Sequence, residues 1–248
     1  MKKIIFALSF ALYLLTTSCV NNLGESVKNT GRSTTPVQQD ANWAVKWWMP
    51  RHLEKLAEKE KLGNVQVVFL GDSITHAWDR QKGTWDQYYA DRKALNLGFG
   101  GDRTEHVLWR LDHGAVDGIN PKVLVLMIGT NNAGRYKEAS AETAKGIKAI
   151  LQDLRLKLPE TKILMLAIFP CGKDDNDARR KLNMGTNDII QTYADNKDIF
   201  FMNINNIFLD EKRILHKSVM SDLIHPNAEM YPEWAEAIEP KLVELMRD

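Results

Sequence analysis

The chain has 248 residues, enough for one domain with a single sizeable hydrophobic core. Hydrophobic residues make up 44% of the chain and charged residues 26%, which is the balance of an ordinary globular domain. The 33 basic and 32 acidic residues almost cancel. Such a chain lacks the positive field that gathers nucleic acid or an anionic membrane surface, so the composition argues against both as partners.

The first 18 residues have the pattern of an export signal. Two lysines open the chain, and Ile4–Leu15 is apolar except for one serine. A bilayer-spanning helix needs about 20 apolar residues, so residues 1–18 are interpreted as a signal peptide. Cys19 resembles the lipidated cysteine of bacterial lipoproteins, although Thr16 stands where leucine is usual. We expect a lipid-anchored envelope protein, in the periplasm or at the outer membrane; plain cleavage and a non-cleaved anchor are the alternatives.

Residues 19–40 are rich in Asn, Gly, Ser and Thr and contain few large apolar side chains. Such a segment cannot bury enough surface to offset the entropy lost on ordering, so it is predicted to be a flexible tether. The folded domain is predicted to cover residues 41–248. The two cysteines, Cys19 and Cys171, could form a disulfide only if Cys19 is not lipidated.

Helical and strand patterns alternate along the domain. Apolar residues have helical spacing over residues 43–61, 139–158 and 177–195. Near the C-terminus, Trp234, Ile238, Leu242 and Leu245 form a last apolar stripe, and Pro240 is expected to bend or interrupt that helix. Strand patterns cover residues 65–70, 94–97, 123–128, 163–168 and 199–202. Short apolar strands separated by helices predict an α/β fold with a parallel sheet, helices on both faces and ligands at the carboxyl ends of the strands.

A serine, Ser73, directly follows the first predicted strand. A serine hydroxyl becomes a strong nucleophile only when a neighbouring base takes its proton. Asp222 and His225 lie three residues apart before the last helix, so the carboxylate can hold one imidazole nitrogen while the other faces Ser73. Taken alone, Ser73 would be read as a helix cap and the Asp-His pair as surface residues. His76 is predicted to be a packing or rim residue.

Acyl transfer also needs donors aimed at the oxygen that becomes negative in the transition state. Gly101 can offer its backbone N–H, Asn131 its side-chain amide and Ser73 its own N–H, each just after a predicted strand. An ordinary tight turn at Gly101 and an Asx turn at Asn131 are the alternatives. The six histidines lack metal-ligand spacing and no CxxC is present, so neither a metal nor a cofactor is expected.

In this order, Ser73, Gly101, Asn131 and His225 resemble the four blocks of the SGNH (GDSL-type) hydrolases. The stretches FLGDSI, ALNLGFGGDRTEHVLWRL and INPKVLVLMIGTNN are similar to the catalytic subunits of platelet-activating-factor acetylhydrolase and their bacterial relatives. The resemblance implies a three-layer α/β/α, flavodoxin-like fold. It also implies a Ser73–His225–Asp222 triad without metal or cofactor, and oxyanion donors at Ser73, Gly101 and Asn131.

The resemblance favours a serine ester hydrolase that removes a short acyl group, most simply acetyl, from a glycan or a small metabolite. The envelope location favours a glycan. Two alternatives stay open: a lysophospholipase or thioesterase acting on longer acyl chains, and a glycan-binding lipoprotein without turnover. The oligomeric state is not indicated by the sequence.

Several aromatic and charged residues have two interpretations. The tryptophans Trp43, Trp47 and Trp48 could form a platform for a sugar, but packing of a helix against the sheet is favoured. Trp109 is predicted to be a core residue on the helix after the second strand. For Arg103 a solvated ion pair is favoured over contact with an anionic group.

Overall fold

The computed structural model describes residues 31–247, in which five parallel strands form one sheet. The strands are β1 (Val67–Gly71), β2 (Leu95–Gly98), β3 (Val123–Met127), β4 (Lys162–Leu166) and β5 (Ile199–Met202). Their order in the sheet is β2-β1-β3-β4-β5, the flavodoxin-like order. Each predicted strand is present, displaced by at most two residues, and the apolar runs of β1 and β3 are buried on both faces.

Eight helices of the described chain connect and cover the strands. They are α1 (Trp48–Leu62), α2 (Ser73–His76), α3 (Lys82–Tyr89), α4 (Thr104–Asp112), α5 (Thr130–Tyr136), α6 (Ser140–Lys157), α7 (Ala178–Ile190) and α8 (Met230–Arg247). None of the helices within residues 31–247 is long and apolar enough to span a membrane.

Side chains alternate between the two faces of the sheet and so build two cores. Val68 and Leu70 of β1 point to one face and pack with α4 and α6, whereas Val67 and Phe69 point to the other face and pack with α3 and α8. The fold is therefore three layers, helix on sheet on helix, as predicted. Both faces of β3 are covered in the same way, which explains its unbroken apolar sequence.

Two helix predictions are corrected in detail. The first helix begins at Trp48 rather than at residue 43, because Trp47 has a non-helical backbone and the preceding residues form turns. The last helix runs from Met230 to Arg247 without interruption at Pro240. Its four predicted stripe residues are all buried, so packing against the sheet stabilises the helix despite the N–H that proline lacks.

The predicted tether is wrong for residues 31–40, which pack against the domain. Ser33 and Gln39 are buried, and the Ser33 carbonyl accepts a hydrogen bond from the Thr104 hydroxyl at 2.8 Å. The Val37 N–H donates to the Glu105 carbonyl. These contacts use backbone groups and small polar side chains, so hydrophobicity could not reveal them. The predicted signal peptide (1–18), Cys19 and the rest of the predicted tether lie outside the described residues.

Candidate active site

The predicted site residues meet at the carboxyl edge of the sheet. Ser73 begins α2 directly after β1, Gly101 lies in the loop after β2, and Asn131 is in α5 after β3. Because adjacent parallel strands end side by side, three residues distant in sequence are neighbours here. His225 reaches the same edge from the loop before α8.

Ser73, His225 and Asp222 form a continuous hydrogen-bonded chain. Ser73 Oγ lies 2.8 Å from His225 Nε2, and His225 Nδ1 lies 2.6 Å from Asp222 Oδ2. With Nδ1 bonded to the carboxylate, Nε2 is the nitrogen that can accept the serine proton. The structure thus brings together the three side chains that the sequence singled out.

The loop that carries His225 is shaped by its own polar groups. Asp222 Oδ1 accepts the N–H groups of Ile224 and His225 at 2.9 and 2.8 Å, while Leu223 takes a left-handed backbone with a φ of 62°. Downstream, Asn227 accepts the Ser221 N–H at 3.0 Å. One carboxylate therefore fixes both the loop and the imidazole.

Asp222 remains ionised because of these bonds. Burial on its own would raise the pKa of Asp222, but the hydrogen bonds from the His225 ring and from the N–H groups of His225 and Ile224 outweigh it. The pKa of Asp222 is therefore held below its usual value. An ionised carboxylate stabilises the imidazolium that forms when His225 takes a proton.

Three candidate hydrogen-bond donors lie at the same edge of the sheet as the Ser73 hydroxyl. The N–H groups of Ser73 and Gly101 make no hydrogen bond within residues 31–247 and are free to bind a substrate oxygen. Asn131 Nδ2 donates one hydrogen to the Asp102 carbonyl at 3.0 Å, which orients the amide and leaves its second hydrogen available. These are the features expected of an oxyanion hole.

The shape of the loop after β2 explains its glycines. Gly101 has a φ of 75°, and a Cβ there would lie 2.2 Å from the ring of Trp43. At Gly98 a Cβ would lie 2.1 Å from the backbone nitrogen of His76, so only glycine lets β2 approach α2. The Gly100 N–H is already used, because it donates to His76 Nδ1 at 3.1 Å.

His76 is thus more than the rim residue predicted from the sequence. Burial, aided by the positive charge of Arg51, lowers the pKa of His76 to about 4, so the ring is neutral at ordinary pH. A neutral ring has a lone pair on Nδ1 for the Gly100 N–H. His76 therefore fixes the loop beside Gly101. The residue spacing gives no sign of this bond, since it joins a helix to a loop 24 residues away.

A buried ion pair anchors the same loop, and sequence reasoning missed it. Asp102 and Arg110 are both 0% exposed, and Arg110 Nε donates to Asp102 Oδ2 at 2.9 Å. The guanidinium also reaches the Leu97 and Gly71 carbonyls, and Trp48 Nε1 donates to Asp102 Oδ1 at 2.7 Å. An arginine in the apolar helical run HVLWRL was the available signal, because a charge on a buried stripe needs a partner.

A second carboxylate lies directly before the serine. Asp72 Oδ1 accepts the Ile74 N–H at 3.0 Å and so caps α2. Its other oxygen has no hydrogen-bond partner among the described residues. Burial raises the pKa of Asp72 to about 7, so this side chain is partly protonated near neutrality. Asp72 therefore acts as a cap, and ionising it costs free energy.

Three further predictions have mixed outcomes. Trp48 is fully buried, as predicted, whereas Trp43 is 50% exposed and Trp47 half-buried, so packing of all three tryptophans is wrong. Trp109 is half-buried rather than a core residue, because it covers the outside of Trp48. The ion pair of Arg103 is with Glu105, and it is buried rather than solvated because residues 31–40 cover α4.

A cleft of about 710 Å³ opens beside Ser73. Both Ser73 and His225 line it, together with Trp47, His76, Arg80, Gln81, Gly100, Asp222, Pro226, Ala228 and Tyr231. A second cleft of about 430 Å³ lies behind Asp222 and touches neither Ser73 nor His225. Among the described residues, no cluster of three or more His, Cys, Asp or Glu side chains could hold a metal ion.

Comparison with known proteins identifies the family. Residues 69–232 match the model of the GDSL-like lipase/acylhydrolase family. The bovine platelet-activating factor acetylhydrolase IB subunit alpha1 is 31% identical over 220 residues, which cover 88% of this chain and 91% of that protein.

Solved structures agree on the fold. A GDSL-like lipase from Bacteroides thetaiotaomicron superposes with a TM-score of 0.62 at 21% identity, covering 79% of this chain and 97% of that one. An acetylxylan esterase from Geobacillus stearothermophilus superposes with a TM-score of 0.59 at 15% identity, and the match covers 73% of this chain and 95% of that one. The chain therefore belongs to the GDSL-like lipase/acylhydrolase (SGNH) family and is a carboxylic ester hydrolase.

Proposed function

We propose that this protein hydrolyses short-chain O-acyl esters, acetyl esters above all, with Ser73 as nucleophile, His225 as general base and acid, and Asp222 as the group that orients His225. The observation that carries the proposal is the contact of 2.8 Å between Ser73 Oγ and His225 Nε2, backed by the 2.6 Å bond from His225 Nδ1 to Asp222. A serine with a base in this position is an activated nucleophile.

In the first half of the reaction, Ser73 Oγ attacks the ester carbonyl while His225 Nε2 takes the serine proton. The carbonyl oxygen becomes negative and binds the N–H groups of Ser73 and Gly101 and the amide of Asn131. His225 then gives its proton to the alcohol oxygen, the bond from the carbonyl carbon to that oxygen breaks, and the acyl group stays on Ser73.

In the second half, a water molecule attacks the acyl-enzyme. His225 takes a proton from the water, the oxyanion donors again bind the negative oxygen, and the bond to Ser73 Oγ breaks as His225 returns the proton to it. The products are the carboxylic acid and the free enzyme. Asp222 stays ionised throughout, because the hydrogen bonds described above hold its pKa low.

The short acyl group and the glycan are supported by the similar proteins. One relative is named an acetylhydrolase and one structural neighbour an acetylxylan esterase, so acetyl is the acyl group common to both names. The cleft beside Ser73 is lined by the polar side chains of His76, Arg80 and Gln81, which suits a hydrophilic alcohol better than a long hydrocarbon chain. A glycan or a small metabolite carrying an O-acetyl group is therefore the proposed substrate.

The test is a chain-length series of nitrophenyl esters, from acetyl to long acyl, with Ser73→Ala as the inactive control. We expect the highest kcat/KM for acetyl and a loss of activity in the variant. Higher kcat/KM for long acyl chains would favour a lysophospholipase or thioesterase instead. Equal release by the wild type and by Ser73→Ala would show that Ser73 is not the nucleophile.

We further propose that residues 1–18 direct export and that Cys19 carries a lipid that anchors the protein in the cell envelope. The basic start, the short apolar run and the position of Cys19 support this. Expression of the full chain in bacteria fed labelled palmitate tests it. The wild type should be labelled and sediment with membranes, whereas Cys19→Ser should lose both properties; an unlabelled wild type would overturn the proposal.

A further inference from the structure

One wall of the cleft beside Ser73 is aromatic. Trp47 lines the cleft, and its ring centroid is 5.7 Å from that of His76 and 6.1 Å from that of Trp43. Trp43 is 50% exposed and Trp47 is half-buried, whereas Trp48 is fully buried. Large aromatic side chains left partly in solvent at the mouth of a cleft are a common sign of a binding surface.

The indoles of Trp43 and Trp47 have fixed positions. Trp47 Nε1 donates to the Trp43 carbonyl at 3.1 Å, so its polar group is satisfied without a ligand. A Cβ built on Gly100 would lie 3.4 Å from the Trp47 ring, and one on Gly101 would lie 2.2 Å from the Trp43 ring. The indoles therefore rest on the loop that carries the Gly101 N–H, and they are preorganised for contact with a substrate.

The proposed chemistry determines which half of the ester meets this wall. His225 Nε2 has to give its proton to the alcohol oxygen, so the alcohol lies on the side of Ser73 that faces His225. The cleft lined by both Ser73 and His225 is the one that Trp47 lines, whereas the second cleft touches neither of them. The alcohol half of the substrate therefore occupies the Trp47 cleft.

The chemistry of the lining indicates what kind of alcohol fits. Arg80 and Gln81 line the same cleft as Trp47, and the Arg80 side chain makes no ion pair or hydrogen bond within residues 31–247. The apolar lining outside the aromatic rings is limited to Ala77, Pro226 and Ala228, which offers no channel for a hydrocarbon chain. The cleft thus combines one flat apolar face with hydrogen-bonding groups at its edge.

We propose that Trp47, supported by Trp43, is the platform on which a sugar ring of the alcohol half packs while Arg80 and Gln81 bind its hydroxyl groups. The C–H face of a pyranose is flat and apolar and matches the indole, whereas its edge carries the hydroxyl groups that need polar partners. The inference rests on the proposed function, because it uses the side of Ser73 on which His225 acts. It assigns Trp47 as the residue that selects sugar esters over simple alkyl esters.

The test compares two acetates: an O-acetylated methyl xyloside and ethyl acetate, with acetate release as the readout. We expect Trp47→Ala to raise KM for the sugar acetate about fivefold, since one aromatic contact is lost, and to lower kcat/KM for ethyl acetate by a smaller factor. Trp47→Phe keeps a flat ring and should recover most of the loss. The matched control is Trp109→Ala, which removes a half-buried tryptophan outside the cleft. It should change kcat/KM for the two acetates by the same factor.

Each contrary result has a distinct meaning. An equal fall for both acetates in Trp47→Ala and in Trp47→Phe would make Trp47 a structural residue and overturn the inference. So would an unchanged KM for the sugar acetate, or a wild type that hydrolyses ethyl acetate but not the sugar acetate. The proposed function would survive all three results, because none of them concerns Ser73 as the nucleophile or the preference for short acyl groups. Wild-type activity of Ser73→Ala towards both acetates would instead overturn the proposed function.

Discussion

The two loops that meet at Ser73 are built in different ways. The loop after β2 carries Asp102, which is fully buried and paired with the fully buried Arg110. The loop before α8 carries Asp222 and His225, whose side chains are 50% and 42% exposed. One loop is held by the core of the domain and the other by its own hydrogen bonds at the surface.

This difference matches what each loop has to do in the proposed reaction. Oxyanion donors stabilise a transition state only if they are already in position, and the core supplies that rigidity. The base must exchange protons with an alcohol and with water, so it lies where both can reach it. Substitutions that disturb the buried anchor of the loop after β2 should therefore mainly lower the stability of the fold. Substitutions in the exposed loop before α8 should mainly lower catalytic activity.

The largest expected effect is on catalysis, from His225→Ala. Without the base, Ser73 keeps its proton, and kcat should fall about 10⁵-fold. Because the side chain is half in solvent, the midpoint of thermal unfolding should stay within about 2 °C of the wild type. Initial rates on a nitrophenyl acetate and a thermal melt measure both. An activity within tenfold of the wild type would contradict the role of His225.

On the buried side, Arg110→Met should destabilise the fold by about 3–5 kcal/mol. The substitution leaves the Asp102 carboxylate buried without its cation and removes the donors to the Leu97 and Gly71 carbonyls. Urea unfolding measures the change. Arg213→Met is the matched control, since Arg213 pairs with Asp175 at the surface and its loss should cost less than about 1 kcal/mol. Equal losses of unfolding free energy in the two variants would contradict the proposed difference between the buried ion pair of Arg110 and the surface ion pair of Arg213.

Asp72→Asn tests the cost of burying a carboxylate beside the serine. The pKa of Asp72 is about 7 in the folded protein, above the ordinary value of 3.8, so the folded state binds the proton more tightly than the unfolded state. The protonated Asp72 carboxyl therefore makes its full contribution to the free energy of unfolding below about pH 4, and this contribution is lost as the pH rises through 7.

Asparagine does not ionise and keeps the oxygen that caps α2. The free energy of unfolding of the Asp72→Asn variant, relative to that of the wild type, should therefore increase by about 4 kcal/mol between pH 4 and pH 8. Denaturant titrations at several pH values measure the difference, and Asp86→Asn, which changes an exposed carboxylate, is the control. A difference that does not vary with pH would show that Asp72 is not the buried acid described here.

Asn131→Ala should lower kcat about 10²- to 10³-fold, with KM little changed, because the amide binds the oxygen only once it is negative. The neighbouring Asn132 is the matched comparison: it is buried and bonds Thr104 and Glu138. Asn132→Ala should lose stability more than it loses kcat. If the two variants lost kcat equally, Asn131 would have no special place in the oxyanion hole.

The sequence predicted the sheet and the edge of the sheet at which the candidate site residues lie. Most of the strands are apolar runs, and Ser73, Gly101 and Asn131 each lie within four residues of the end of a strand, so the topology brings them to one edge. The pairing of His225 with Asp222 follows from their spacing on one loop.

What the sequence could not supply depends on contacts distant along the chain. The pair of Asp102 and Arg110 is visible only once α4 lies against β2, and the packing of residues 31–40 uses backbone groups that no side-chain pattern records. The spacing also did not distinguish Trp47 from the buried Trp48, because the two tryptophans are adjacent in the sequence. They differ in the structure because α1 begins at Trp48, whereas Trp47 precedes the helix.

The central claim is that Ser73 is the nucleophile, and the most direct measurement is covalent labelling with an active-site phosphonate, mapped by peptide mass spectrometry. The account predicts one phosphonate per chain, on the peptide that contains Ser73, no label on Ser73→Ala, and much slower labelling of His225→Ala. Label on another residue, or equal labelling of the wild type and Ser73→Ala, would contradict it.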